Sequence, residues 1–257
     1  ERLETGKGDL ADEVCRIQEL AKKMRARRFK AGGIDFDTEE VRFRLDADGR
    51  PLEVLIKRML DANRLIEDYM LLANVRVAKW ISGSKGQKKP GAVYRIHDSP
   101  DPTKLKALRM FVSQFGYKMP ETEPGQAHRA IGQLLKMSEG TAEEGIVKQM
   151  AIRSMAKAEY NTDNIGHYGL AFEHYTHFTS PIRRYADLII HRILQATIEK
   201  RKSTYEKGLD QICKHISANE RKASEAERES TKYFQTLFVQ EHIGEVFEGT
   251  ISGIADH

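Results

Sequence analysis

The sequence predicts an α+β protein, mainly helical, with one β-hairpin. Three observations predict it. Long stretches place apolar residues at helical spacing, as in Leu10, Val14, Ile17, Leu20, Ala21 and Met24. One segment, VRFRLDADGRPLEVLI, instead alternates apolar and polar residues on either side of a turn. The strands read from the sequence are too few to close a sheet alone.

Taken in order, the first helix is expected over 9 to 29 and ends in the basic run RARRFK before Gly32-Gly33. Val41, Phe43 and Leu45 form one arm of the hairpin, and Leu52, Val54 and Ile56 the other. A long helix follows from 61 to 81, with Leu65, Ile66, Met70, Ala73 and Val77 as its buried stripe. The basic, Gly-rich SGSKGQKKPG is a loop, and VYRI is a short strand. Helices are expected over 102 to 115, 126 to 138 and 140 to 157, with PETEPG separating the first two. Residues 158 to 179 read as irregular, 180 to 200 as a helix, 206 to 240 as a long charged helix, and 243 to 254 as β.

The 257 residues suffice for a core without covalent staples. Cys15 and Cys213 form no CxxC pair, which argues against a disulfide framework or a zinc ribbon and suits a reducing, cytoplasmic setting. No apolar run reaches membrane-spanning length, so no membrane partner is expected. The net charge of +4 permits a polyanion partner without demonstrating one, so the placement of the charge matters more than its sum.

HYTHFTSPIRRYADLIIHR, residues 174 to 192, concentrates cations and aromatics. Ser180 is read as the N-cap of a helix, with Pro181 at its first position. A helix N-terminus favours an anion, and Arg183 and Arg184 in that first turn would oppose the helix dipole unless they hold one. An arginine fork there suits a phosphate. Tyr175, Phe178 and Tyr185 could pack in the core or flank a base. Arg183 and Asp187, four apart, could equally form an intrahelical ion pair. Ser180, Asp187 and His191 cannot form a hydrolase triad within one helix, since eleven residues of rise separate serine from histidine by roughly 16 Å. His167, His174 and His177 lack matched spacing for a metal site.

NIGHYGLAFEHYTHFTSPIRRYADLIIHRIL resembles the signature of the ribonuclease II / ribonuclease R (RNB) family of exoribonucleases, nearest its bacterial ribonuclease R branch. DANRLIEDYMLLANVRVAKWI, GGIDFDTEEVRFRLDADGRP and VYRIHDSPDP are similar to further blocks of that family, in the same order. The resemblance implies a hydrolase that shortens single-stranded RNA from its 3′ end to nucleoside 5′-monophosphates. It implies that Arg183 holds the phosphate near the scissile bond. Phe36 would stack on a base at the 3′ end, although it reads equally as a hairpin core residue. Glu67 would contact the terminal nucleotide, and Glu227 would lie near it and affect turnover. On spacing alone both are exposed helix carboxylates. Tyr175, His177, Thr179, Ser180 and Arg184 would support the channel wall.

The resemblance also implies Mg²⁺, held by an aspartate cluster that this chain lacks. The chain is therefore read as the distal part of an RNB catalytic domain, 1 to 241. Residues 242 to 257 are read as the start of an OB-type barrel, because GEVFEGTISGI resembles its first strand. The ligands of the ion are expected upstream, the fragment alone is expected to be inactive, and the protein is expected to be a monomer. Two other readings remain: a non-catalytic RNA-binding homologue, and a helical interaction protein whose basic segments are only solvated surface.

Overall fold

The computed structural model describes residues 2–34, 40–83, 91–201, 205 and 207–249. A short helix α1 (Arg2–Thr5) precedes α2 (Ala11–Lys30). The hairpin is β1 (Glu40–Leu45) and β2 (Pro51–Lys57), antiparallel, with Phe43 opposite Val54 and a register irregularity at Arg44/Leu45. Then come α3 (Asp61–Ser82), β3 (Tyr94–Ile96), α4 (Pro102–Ser113), α5 (His128–Ser138) and α6 (Glu144–Ser154). The chain continues through β4 (Glu159–Asn161), α7 (Tyr185–Ile198) and α8 (Leu209–Gln240). β3 and β4 form a second antiparallel pair, with Arg95 opposite Tyr160. The α+β class and most element positions agree with the sequence reading.

Two apolar clusters carry the fold. The first packs α4, α5 and α6 around Leu108, Val112, Ile131, Leu134 and Val147. Asp101 starts this unit by accepting hydrogen bonds from the backbone N–H groups of Thr103 and Lys104, with Pro102 as first helical residue. The second cluster packs the end of α3, the β3–β4 pair, α7 and the first half of α8, with Ile81, Val93, Ile189, Ile190 and Ile193 at its centre. Full burial of each such aliphatic side chain contributes about 1.5–3 kcal/mol.

Two expectations are corrected. The buried stripe of α3 is rotated: Leu65 is buried, but Ile66 is 59% exposed, while the polar Asp68 and Asn74 point inward. Asp68 turns inward because Arg25 of α2 binds its Oδ2 through Nε (3.0 Å) and Nη2 (2.7 Å). Both arms of the hairpin form as expected, with Leu52, Val54 and Ile56 exposed. Residues 158–179 are not wholly irregular, since β4 and a 3₁₀ turn at Tyr168–Leu170 lie within them. In the expected β tail, 245–249 pair with no strand among the described residues, and 250–257 lie outside them.

Candidate functional site

The segment 174–184 is fixed from three sides. From β3, the Arg95 N–H donates to Tyr175 O (3.0 Å), and the Thr176 hydroxyl donates to Val93 O (2.6 Å). From α3, Asn74, 3% exposed, donates through Nδ2 to Tyr175 Oη (3.2 Å) and accepts at Oδ1 from Phe178 N (3.0 Å). From α7, the His191 ring stacks on Phe178 at 4.1 Å, with Nε2 at 2.9 Å from Phe178 O. The preceding bend needs Gly166, whose φ is +83° and where a Cβ would meet Phe172 O at 2.9 Å.

Ser180 does not begin the helix. Its carbonyl accepts from the N–H groups of Arg183 (3.3 Å) and Arg184 (3.1 Å), closing a separate turn, and α7 starts at Tyr185. The reason is Asp187. Its fully buried carboxylate accepts through Oδ2 from Ser180 N (2.7 Å) and from Arg184 Nη2 (2.8 Å). Arg184 sits in an extended conformation at the N-cap position (φ −124°, ψ 115°), which keeps the turn and the helix apart. The helix N-terminus is therefore supplied with negative charge by Asp187, its own third residue. The expected Arg183–Asp187 pair is replaced by Arg184–Asp187, three residues apart. Ile182 and Arg183 are left exposed at the tip, and the Arg183 guanidinium has no hydrogen-bond or ion-pair partner among the described residues.

Tyr160, His167, Tyr175 and His177 form a cluster of rings. Tyr175 packs edge-on against His167 (5.2 Å) and His177 (5.6 Å). His177 Nδ1 lies 2.8 Å from Tyr160 Oη. Burial, reinforced by Arg184 and Arg95, pushes the His177 pKa down to about 2, and burial with His97 and Arg95 nearby takes His167 down to about 3. Both rings are neutral at physiological pH, while burial raises Tyr160 to about 12. The positive charge here therefore belongs to the arginines. Arg95 lies over the Tyr160 ring at 4.7 Å and donates through Nη1 to Glu220 of α8 at 2.6 Å.

Glu67 lies exposed on α3, 3.9 Å from Arg28 Nη2. Glu227 lies on α8, exposed, two turns beyond Glu220 and so about 10 Å further along the same face. Asn74 ties the Glu67 helix to the signature segment, and Arg95–Glu220 ties α8 to it. Thr179 Oγ1 and His174 Nδ1 are buried without partners among the described residues. Phe36 lies outside the described residues. Sequence reading passed over Asn74, Arg95 and Tyr160. Only Asn74 left a signal, as a polar residue within an otherwise apolar helix face.

A cleft of about 1010 Å³ is lined by Gly33 and Ile34 and by Arg58, Arg64, Arg129, Lys136 and Lys148 with Glu139 and Glu144. Its cations outnumber its acids, which suits a polyanion.

Fold and site together define an α+β protein in which an exposed guanidinium, Arg183, follows a segment packed with aromatic and neutral histidine rings. The chain belongs to the RNB domain family, whose profile matches residues 2–200. It is 36% identical over 250 residues to Ribonuclease R 1 of Lactococcus lactis subsp. lactis, covering 95% of this chain and 30% of that protein. To Ribonuclease R of Aquifex aeolicus it is 34% identical over 249 residues, covering 96% and 35%. Among solved structures it is similar to Mycoplasma genitalium RNase R in complex with ribose methylated single-stranded RNA, with TM-score 0.88 and 28% identity, covering 98% of this chain and 41% of that one. The chain thus spans about a third of the length of its curated relatives.

Proposed function

We propose that this chain is part of a hydrolytic 3′-to-5′ exoribonuclease that degrades single-stranded RNA to nucleoside 5′-monophosphates, and that its contribution is the grip on the RNA. The observation that carries this is Arg183: within the family signature, it is exposed and without a partner among the described residues. A guanidinium so presented offers a fork of donors to a phosphodiester, and stabilises charge that develops there during cleavage. Glu67 and Glu227 are assigned to the terminal nucleotide, Phe36 to stacking on a base, and Tyr175, His177, Thr179, Ser180 and Arg184 to the channel wall. Tyr175 and Arg184 act in that wall from beneath, through their bonds to Asn74 and Asp187.

Among the described residues, no three His, Cys, Asp or Glu side chains come together to hold a metal ion. The described residues do not fit a magnesium site, and the reading places the ligands of Mg²⁺ outside this chain. It also takes 1–241 as the distal catalytic domain, 242–257 as the start of an RNA-binding barrel, and the whole protein as a cytoplasmic monomer.

The test is incubation with 5′-labelled single-stranded RNA and magnesium, with and without an aspartate-bearing upstream segment of a relative added in trans. Shortening from the 3′ end only in the combined reaction is expected. Degradation by this chain alone would overturn the assignment of the metal site. If the chain neither degrades RNA in the mixture nor binds it, the helical interaction protein is the better reading.

A further inference from the structure

Asp187 is the most buried acid of the site, and it belongs to none of the roles assigned above. Its Oδ2 is shared between the Ser180 N–H and Arg184 Nη2. One oxygen therefore ties together both ends of the turn 180–184, across seven residues of sequence. Its Oδ1 and the Nε of Arg184 are buried without partners among the described residues. An aspartate and an arginine in contact can close a two-bond fork, the stronger arrangement. Here the fork stays open, because Oδ2 is aimed at the turn's backbone as well as at the guanidinium.

The consequence falls on the neighbouring arginine. Arg183 and Arg184 are adjacent, yet Arg184 is turned inward with its side chain 19% exposed and its charge matched, while Arg183 stands at the exposed tip. With Arg184 neutralised, the turn offers one cation rather than two.

We propose that Asp187 is the positioning residue of this site: by clamping Ser180 and Arg184 to one buried oxygen, it sets the turn that presents Arg183 alone to an RNA phosphate. The inference rests on the RNA-gripping function proposed above. Asp187 touches no substrate; its effect on RNA runs entirely through Arg183.

The experiment is a double-mutant cycle read by fluorescence anisotropy, with this chain and a labelled single-stranded oligouridylate over a range of salt concentrations. Arg183→Ala is expected to weaken binding about tenfold and to reduce the slope of log affinity against log salt by about 0.7, the value of one single-strand phosphate contact. Asp187→Asn is expected to give losses of the same order alone, and none in the Arg183→Ala background. Arg184→Gln, which keeps a donor for Asp187 but removes the charge, is expected to behave likewise, and it decides the matter if Asp187→Asn does not fold. Losses that add fully to that of Arg183→Ala would overturn the proposal and make Asp187 a stability residue or Arg184 a direct RNA contact. Binding by Asp187→Asn or Arg184→Gln equal to that of the unmodified chain would also overturn it. If the unmodified chain shows no salt-dependent binding, or Arg183→Ala binds as it does, the RNA-gripping function fails and this inference with it.

Discussion

The signature turn and the outer half of α8 carry residues of comparable assigned importance, but they are held in different ways. Residues 174–187 are bound from β3, α3 and α7, through Thr176, Phe178 and Ser180, although four of their buried polar atoms have no partner among the described residues. From 221 to 230 α8 is exposed at every position, and further on Thr231, Phe234, Leu237 and Phe238 are half-buried, with Phe43 of the hairpin against Phe234 at 5.8 Å. The inner half of the same helix is anchored by Cys213 and Ile216 in the core and by the Ser217 hydroxyl, which accepts from Tyr160 N at 2.9 Å. Glu227 therefore takes its position from the rigidity of a helix rooted elsewhere, whereas Arg183 takes its own from contacts made on the spot. A site can be built both ways, but only the second makes function and stability inseparable.

The sharpest way to break this contrast is Asp187→Ala. It strands a largely buried arginine and an N–H, and should cost about 3–5 kcal/mol in urea denaturation. A cost near zero would mean that the turn is not clamped. Asn74→Ala comes next: it removes the acceptor for Phe178 N–H and the donor to Tyr175, for an expected loss of about 2 kcal/mol. If the loss is instead comparable to that of an exposed residue, α3 does not hold the signature segment.

The histidines give a pH test. Folded His167 and His177 titrate at about 3 and about 2, below the 6.5 of the unfolded chain, so the unfolded state binds protons first as pH falls. Their contribution to stability is complete above 6.5 and is lost on acidification. Between pH 7 and 5.5 this should cost about 1 kcal/mol for each ring. Denaturation midpoints that do not move over that window would show the rings to be solvated or already charged.

In the outer half of α8 the effects should be smaller. Phe234→Ala should cost about 1 kcal/mol locally, seen as faster amide exchange in residues 225–240 with little change in the global midpoint. Smallest of all, Glu227→Ala should leave stability within about 0.5 kcal/mol. A larger change would mean that this carboxylate has a structural partner.

Much of this was legible in the sequence, for local reasons. Helical spacing placed α2, α3 and α8, because an amphipathic face is written into every turn of a helix. The alternation around DADGR placed the hairpin, and the signature block placed the family. Other features were not legible. Ser180-Pro181 has every local mark of a helix start, yet the helix begins at Tyr185, because a carboxylate seven residues away takes the Ser180 N–H. Ile66 reads as buried from its spacing, but the inward position goes to Asp68, for which Arg25, forty-three residues earlier, supplies a partner. The sequence by itself determined most of the helices and the hairpin, and that two adjacent arginines follow Ser180-Pro181. Tertiary structure alone decided which arginine faces outward, which polar groups turn inward and which histidines stay neutral. Those outcomes depend on desolvation and on hydrogen-bond partners brought together from distant positions, and local periodicity carries no record of either.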